Sequence, residues 1–146
     1  MGKSALETLH DVNTATNDVI KGYITMLERA EPEIVVTIRR LSDMHRQHAS
    51  QLAAQINLLG GSDDGDSSFQ GKVNQAVVIM RDWVAGLDRD ALESVRDGEE
   101  SLRDAYVDAV SDLSADAQPS VRVLLSAQHA EICDQISRIP KVHHNA

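Results

Sequence analysis

The chain has 146 residues, 3% aromatic residues and a formal charge of −9. That length suits one domain with a real core, and a core so poor in aromatics must be built from Leu, Ile, Val, Ala and Met. The acidic balance argues against nucleic acid and anionic membrane surfaces, which need a basic patch, and no uncharged stretch approaches the roughly 20 residues of a membrane span.

The first predicted helix covers about residues 4–30. Ser4 with Glu7 three residues on is a capping-box pattern, and the expected inward stripe is Leu6, Leu9, Asn13, Thr16, Ile20, Tyr23 and Leu27. The N-terminal residues reach Glu7 before any apolar run, so no signal peptide is expected. Glu31-Pro32-Glu33 breaks the pattern, and Pro32 suits the start of a second helix over about 33–59. Its stripe is Ile34, Ile38, Leu41, His45, His48, Leu52, Ile56 and Leu59, and Gly60-Gly61 is a strong stop. Two imidazoles thus sit on a face that should look into the core. A buried polar group needs a partner, either a side chain or a metal.

An acidic loop follows at 62–68, without the ligand alternation or terminal Glu of an EF-hand. A shorter helix is expected over about 69–85, carrying Val73, Val77, Met80 and Val84 with Trp83 beside them. Val77-Val78-Ile79-Met80 is broad enough to fill a groove or to form a dimer surface. The next helix covers about 88–113, with stripe Leu92, Val95, Glu99, Leu102, Tyr106, Ala109 and Leu113. The last covers about 117–139, with Pro119 in its first turn, Pro140 beyond its end and stripe Val121, Leu124, Gln128, Glu131/Ile132, Gln135/Ile136 and Ile139. One domain over 1–140 is expected, with 141–146, including His143 and His144, as a flexible tail. Cys133 has no second cysteine to pair with, and a reducing cytoplasm is the expectation.

Four long helices with two short connections and one long one describe an all-α four-helix bundle. The long connection, with its own helix, has the reach to cross the bundle from end to end. Gly22-Tyr23 also resembles Ala105-Tyr106, a faint sign of duplicated hairpins. Counting outward from each hairpin turn brings His45, His48, Glu99 and Glu131 to one height near the middle. Asn13, Thr16, Asn17 and Gln128 join them, with apolar layers above and below.

Asn17-Asp18 before Gly22-Tyr23, Leu58-Leu59-Gly60-Gly61, Trp83, Gly98-Glu99 before Tyr106, and Gln128 with Ile132 occur in that order along nearly the whole chain. In these features the chain resembles a family of small bacterial four-helix-bundle proteins of unknown function within the ferritin-like superfamily. The resemblance implies a ferritin-like bundle with an additional helix in the long crossover. It carries no activity with it; a stress-related role is suggested by analogy with the superfamily.

Di-iron bundles take a Glu from each of two helices and a Glu-x-x-His from each of the other two. Here His45-Arg46-Gln47-His48 keeps the second residue and has His in place of Glu. Glu99 is present, Glu131-Ile132-Cys133-Asp134 keeps Glu and replaces His by Asp, and the first helix has no Glu at that height. The candidate metal ligands are therefore His45, His48, Glu99 and Glu131, with Asp18 and Asp134 peripheral. They suit one iron, manganese or zinc ion or, with no metal, a hydrogen-bonded polar network. No nucleophile with an oriented base and no phosphate loop is present, so neither catalytic nor organic cofactor-binding residues are assigned. The expected protein is a non-enzymatic cytoplasmic bundle acting as a homodimer or with a protein partner; the alternative is a divergent metal-binding or redox protein.

Overall fold

The computed structural model describes residues 4–28, 32–61 and 90–139, without the side chains of Glu33, Asp90 and Ala91. Four α-helices are described: α1 (Ala5–Leu27), α2 (Pro32–Leu58), α3 (Asp90–Asp112) and α4 (Pro119–Arg138). The acidic loop, the helix expected over 69–85 and the tail over 141–146 lie outside the described residues.

Helix boundaries follow local chemistry. Ser4 has an extended backbone and its side-chain oxygen accepts from the backbone N–H of Glu7 at 3.1 Å, so α1 opens with a cap. α2 closes in a Schellman turn: Gly61 N–H donates to the Ile56 carbonyl at 2.9 Å, and Gly60 takes φ +83°. Gly61 allows this turn to lie against α1, since a Cβ there would stand 2.5 Å from Leu6 Cδ1. α4 opens on Pro119, whose missing N–H costs nothing at that position. At the far end of α4, Arg96 donates to the Ile139 carbonyl at 2.6 Å, and Arg40 donates to Gln135 Oε1 at 2.8 Å. Cations suit the negative end of a helix dipole.

The cross-helix contacts fix the directions. α1 and α2 form one antiparallel hairpin, α3 and α4 another. Arg40 near the start of α2 bonds Gln135 near the end of α4, while Gln55 near the end of α2 bonds Ser120 at the start of α4. α2 and α4 are therefore antiparallel neighbours. α1 packs on α3, with Tyr23 bonded to Glu99 and Thr16 beside Tyr106. The four helices run up, down, down, up, and α2 ends at the opposite end of the bundle from the start of α3.

A single apolar core fills the interior. Leu9, Ile56, Leu113 and Val121 are buried towards one end, and Met26, Ile34, Ile38, Val95 and Ile139 towards the other. Each such aliphatic side chain contributes roughly 1.5–3 kcal/mol when fully buried. α3 buries the expected Leu92, Val95, Glu99, Leu102, Tyr106 and Leu113. α1 differs: Leu6, Ile20 and Leu27 are only half-buried, while Val12, Ala15, Val19 and Met26 are in the core. The reason is that α1 meets both α2 and α3, so its buried face is wider than one stripe. On α4, Leu125 rather than Leu124 is fully buried. None of the described helices is long and apolar enough to cross a membrane.

Candidate functional site

Midway between the apolar ends lies a polar layer. Asn13, Thr16, His45, His48, Glu99 and Gln128 are all buried, as are Tyr23 and Tyr106. Each helix supplies part of it because its inward stripe carries a polar residue there in place of an aliphatic one.

Glu99 on α3 is the hub. Its Oε2 accepts from the Tyr23 hydroxyl on α1 and lies 2.7 Å from His45 Nε2 on α2. The Tyr23 and His45 rings stack, with centroids 6.1 Å apart. One turn along α2, His48 Nε2 lies 3.2 Å from Oε2 of Glu131, whose side chain is half exposed on α4. The two histidine rings meet edge to face at 6.0 Å. Gln128 ties the other side of the layer. It accepts from the Tyr106 hydroxyl at 2.7 Å, and its amide donates to Gln51 Oε1 at 3.0 Å and to the backbone carbonyl of His48 at 3.2 Å.

Burial dominates the electrostatics. It holds the His48 imidazole below its ordinary value, with the Glu131 hydrogen bond opposing and His45 adding to the drop. Burial also pushes the Tyr23 hydroxyl well above its ordinary value, and the Glu99 charge pushes the same way. Tyr106 is raised for the same leading reason. Both tyrosines are therefore neutral donors at physiological pH.

The four sequence-predicted residues fall into two pairs, His45 with Glu99 and His48 with Glu131. Asp134 is exposed and pairs with Arg138 at 3.1 Å, outside the layer. Asp18 is partly buried, which raises its carboxyl despite Lys21 nearby. No group of three or more His, Cys, Asp or Glu among the described residues is arranged to hold a metal ion. The two tyrosines and Gln51 are participants that the sequence reading did not assign.

An internal symmetry organises these contacts. The 83-residue step from His48 to Glu131 also relates Thr16 to Glu99, Tyr23 to Tyr106 and His45 to Gln128. Tyr23 against Glu99 has its counterpart in Tyr106 beside Thr16. Tyr23 stacked on His45 has its counterpart in Tyr106 bonded to Gln128. One half of the layer sets a histidine and a carboxylate (His45, Glu99) beside its tyrosine; the related half has the uncharged Gln128 and Thr16 at those positions.

A family described as Domain of unknown function (DUF2383) matches residues 4–112. The chain belongs to this family. The match takes in α1, α2 and α3 and stops before α4, which supplies Gln128 and Glu131. No curated protein and no solved structure matches the chain.

Proposed function

We propose that the chain is a non-enzymatic, ferritin-like bundle of the bacterial cytoplasm whose polar layer fixes the register of its helices. On this reading it acts through self-association or a protein partner, in a stress-related setting by analogy with the superfamily. The up-down-down-up helix order supports the ferritin-like assignment.

One observation carries the non-enzymatic reading: the groups that would bind metal are bonded to one another. His45 Nε2 is on Glu99 and His48 Nε2 is on Glu131. The symmetry also sharpens the comparison with the di-iron pattern. The 83-residue step moves the Glu-x-x-His frame of α4 from Glu131–Asp134 to Gln128–Glu131, so the six ligand positions correspond to Thr16, His45, His48, Glu99, Gln128 and Glu131. Only His48 and Glu99 keep the residue type that the pattern wants. Two carboxylates remain where four would balance two divalent cations, so a dinuclear centre does not fit this donor set. A polar layer bonded across its helices instead gives a bundle a unique register at some cost in stability.

A second reading has its own support. Glu99 Oε1, His45 Nδ1 and His48 Nδ1 are buried without a hydrogen-bond partner among the described residues. Such atoms are unusual in a folded interior, and they favour a mononuclear iron, manganese or zinc site using His45, His48, Glu99 and Glu131. Metal analysis of protein purified without chelator separates the two. Substoichiometric metal in the wild type is expected; stoichiometric metal that disappears in His48→Ala overturns the first reading. Exposed Val36, Leu58 and Val123 support association, which light scattering tests: a strict monomer that captures no partner protein removes it.

A further inference from the structure

Among the described residues, the polar layer reaches solvent where α2 faces α4. Its bonded side chains that are exposed are Gln51 and Glu131, and both stand on this seam. The seam is joined by polar pairs along its length: Arg40 with Gln135, His48 with Glu131, Gln51 with Gln128, and Gln55 with Ser120. At its middle a groove of about 430 Å³ opens, lined by Met44, Gln47, Ala130, Glu131, Asp134 and Gln135. Glu131 belongs to both groove and layer. Its side chain is 55% exposed, while the His48 side chain that it bonds is 1% exposed.

We infer that this groove is the port through which the buried layer exchanges water and small polar solutes, with the Glu131 carboxylate as its gate. The gate can open as a single side chain, because Glu131 already stands half in solvent and a water entering behind it can take over the 3.2 Å bond to His48. When the carboxylate turns outward, the His48 ring is the first group met, and His45, Glu99 and Tyr23 follow behind it. The walls set carboxylates and amides beside the Met44 thioether and the Ala130 methyl, so entering water finds polar partners along a partly apolar groove, and the groove is roomy enough for several waters at roughly 30 Å³ each. Entry elsewhere among the described helices would separate packed aliphatic residues such as Leu9, Val12, Leu52 and Leu102, all buried. Opening of a single side chain is a local event and lies far below global unfolding in free energy. Access of this kind is independent of whether the layer holds a metal.

Hydrogen–deuterium exchange at the imidazole carbon between the ring nitrogens, read residue by residue by NMR, tests the port. The proteins compared are the wild type, Ala130→Trp, which fills the groove from an exposed position, and Val107→Trp, an exposed site on α3. His48 is expected to exchange several-fold more slowly in Ala130→Trp, with His10 on α1 unchanged, and neither histidine is expected to respond to Val107→Trp. Low denaturant, below the unfolding transition, is expected to leave the wild-type His48 rate unchanged. An unaltered His48 rate in Ala130→Trp overturns the port. So does a wild-type rate that rises with denaturant as global unfolding does.

Discussion

Tyr23→Phe removes one oxygen from the polar layer and little else. The ring keeps its place on His45, 6.1 Å away, and Glu99 loses one of the two donors on its Oε2. The other carboxylate oxygen already has no partner among the described residues. A hydrogen bond to a charged group is worth about 1.5–3 kcal/mol, against about 0.5–1.5 kcal/mol for a neutral pair. Tyr23→Phe is therefore expected to cost about 2–3 kcal/mol. Tyr106→Phe, whose acceptor is the neutral amide of Gln128, is expected to cost about 1 kcal/mol. In a protein of this size, 1 kcal/mol lowers Tm by roughly 2–4 °C, so the two variants are resolvable by melting as well as by urea titration. The source of the difference is the carboxylate, and a double-mutant cycle isolates it. In a Glu99→Gln background, Tyr23→Phe is expected to fall to about 1 kcal/mol, leaving a coupling of about 1–2 kcal/mol. Equal costs for the two tyrosines, or a cycle with no coupling, would refute Glu99 as the hub.

Burial of His48 sets an acid limit. As pH falls past 6.5 the unfolded chain takes up a proton there and the folded protein does not. Stability from this group is complete above pH 6.5 and declines from there down to the depressed folded-state value. Urea midpoints across that range should fall, and the slope should flatten in His48→Gln; an unchanged slope in the variant removes His48 as the cause. The tyrosines set an alkaline limit. Both of the chain's tyrosines are buried and raised, so stability declines as pH rises past 10. Tyrosinate absorbance is expected to emerge only with unfolding, and a smooth titration in the folded state would contradict this. Gly60→Ala must place a side chain at φ +83°, at a cost of about 1 kcal/mol read from the urea midpoint; a neutral or stabilising result would show that the turn is built differently.

What could be read in advance depended on how many neighbours an element has. The stripe of α3 is legible because its apolar residues, Glu99 and Tyr106 repeat on one face. α1 is less so, because periodicity points in one direction and α1 packs in two, which brings Val12, Ala15, Val19 and Met26 inward. In the candidate site, counting residues from the turns placed His45, His48, Glu99 and Glu131 at one height. Height does not determine pairing, so it could not assign His45 to Glu99 and His48 to Glu131. Tyr23 and Tyr106 read as apolar members of their stripes, although each ends in a hydroxyl that a buried acceptor needs. The missed signal was the common 83-residue step, which links both tyrosines to the histidine and carboxylate positions. Asp134 was drawn in by its spacing from Glu131; it shares that exposed face of α4, but one turn further along it is past the height of the layer and pairs with Arg138.

The central claim is that the layer's donors are used on one another rather than on a metal. A ligand that binds only the folded state stabilises it in proportion to the logarithm of its concentration over Kd. The most direct measurement is thus the urea midpoint of chelator-treated protein with and without added Fe(II), Mn(II) or Zn(II). Midpoints are expected to coincide within error for the wild type and to be equally indifferent to metal in His48→Ala. A midpoint that climbs with metal concentration in the wild type, and stays flat in His48→Ala, would contradict the claim.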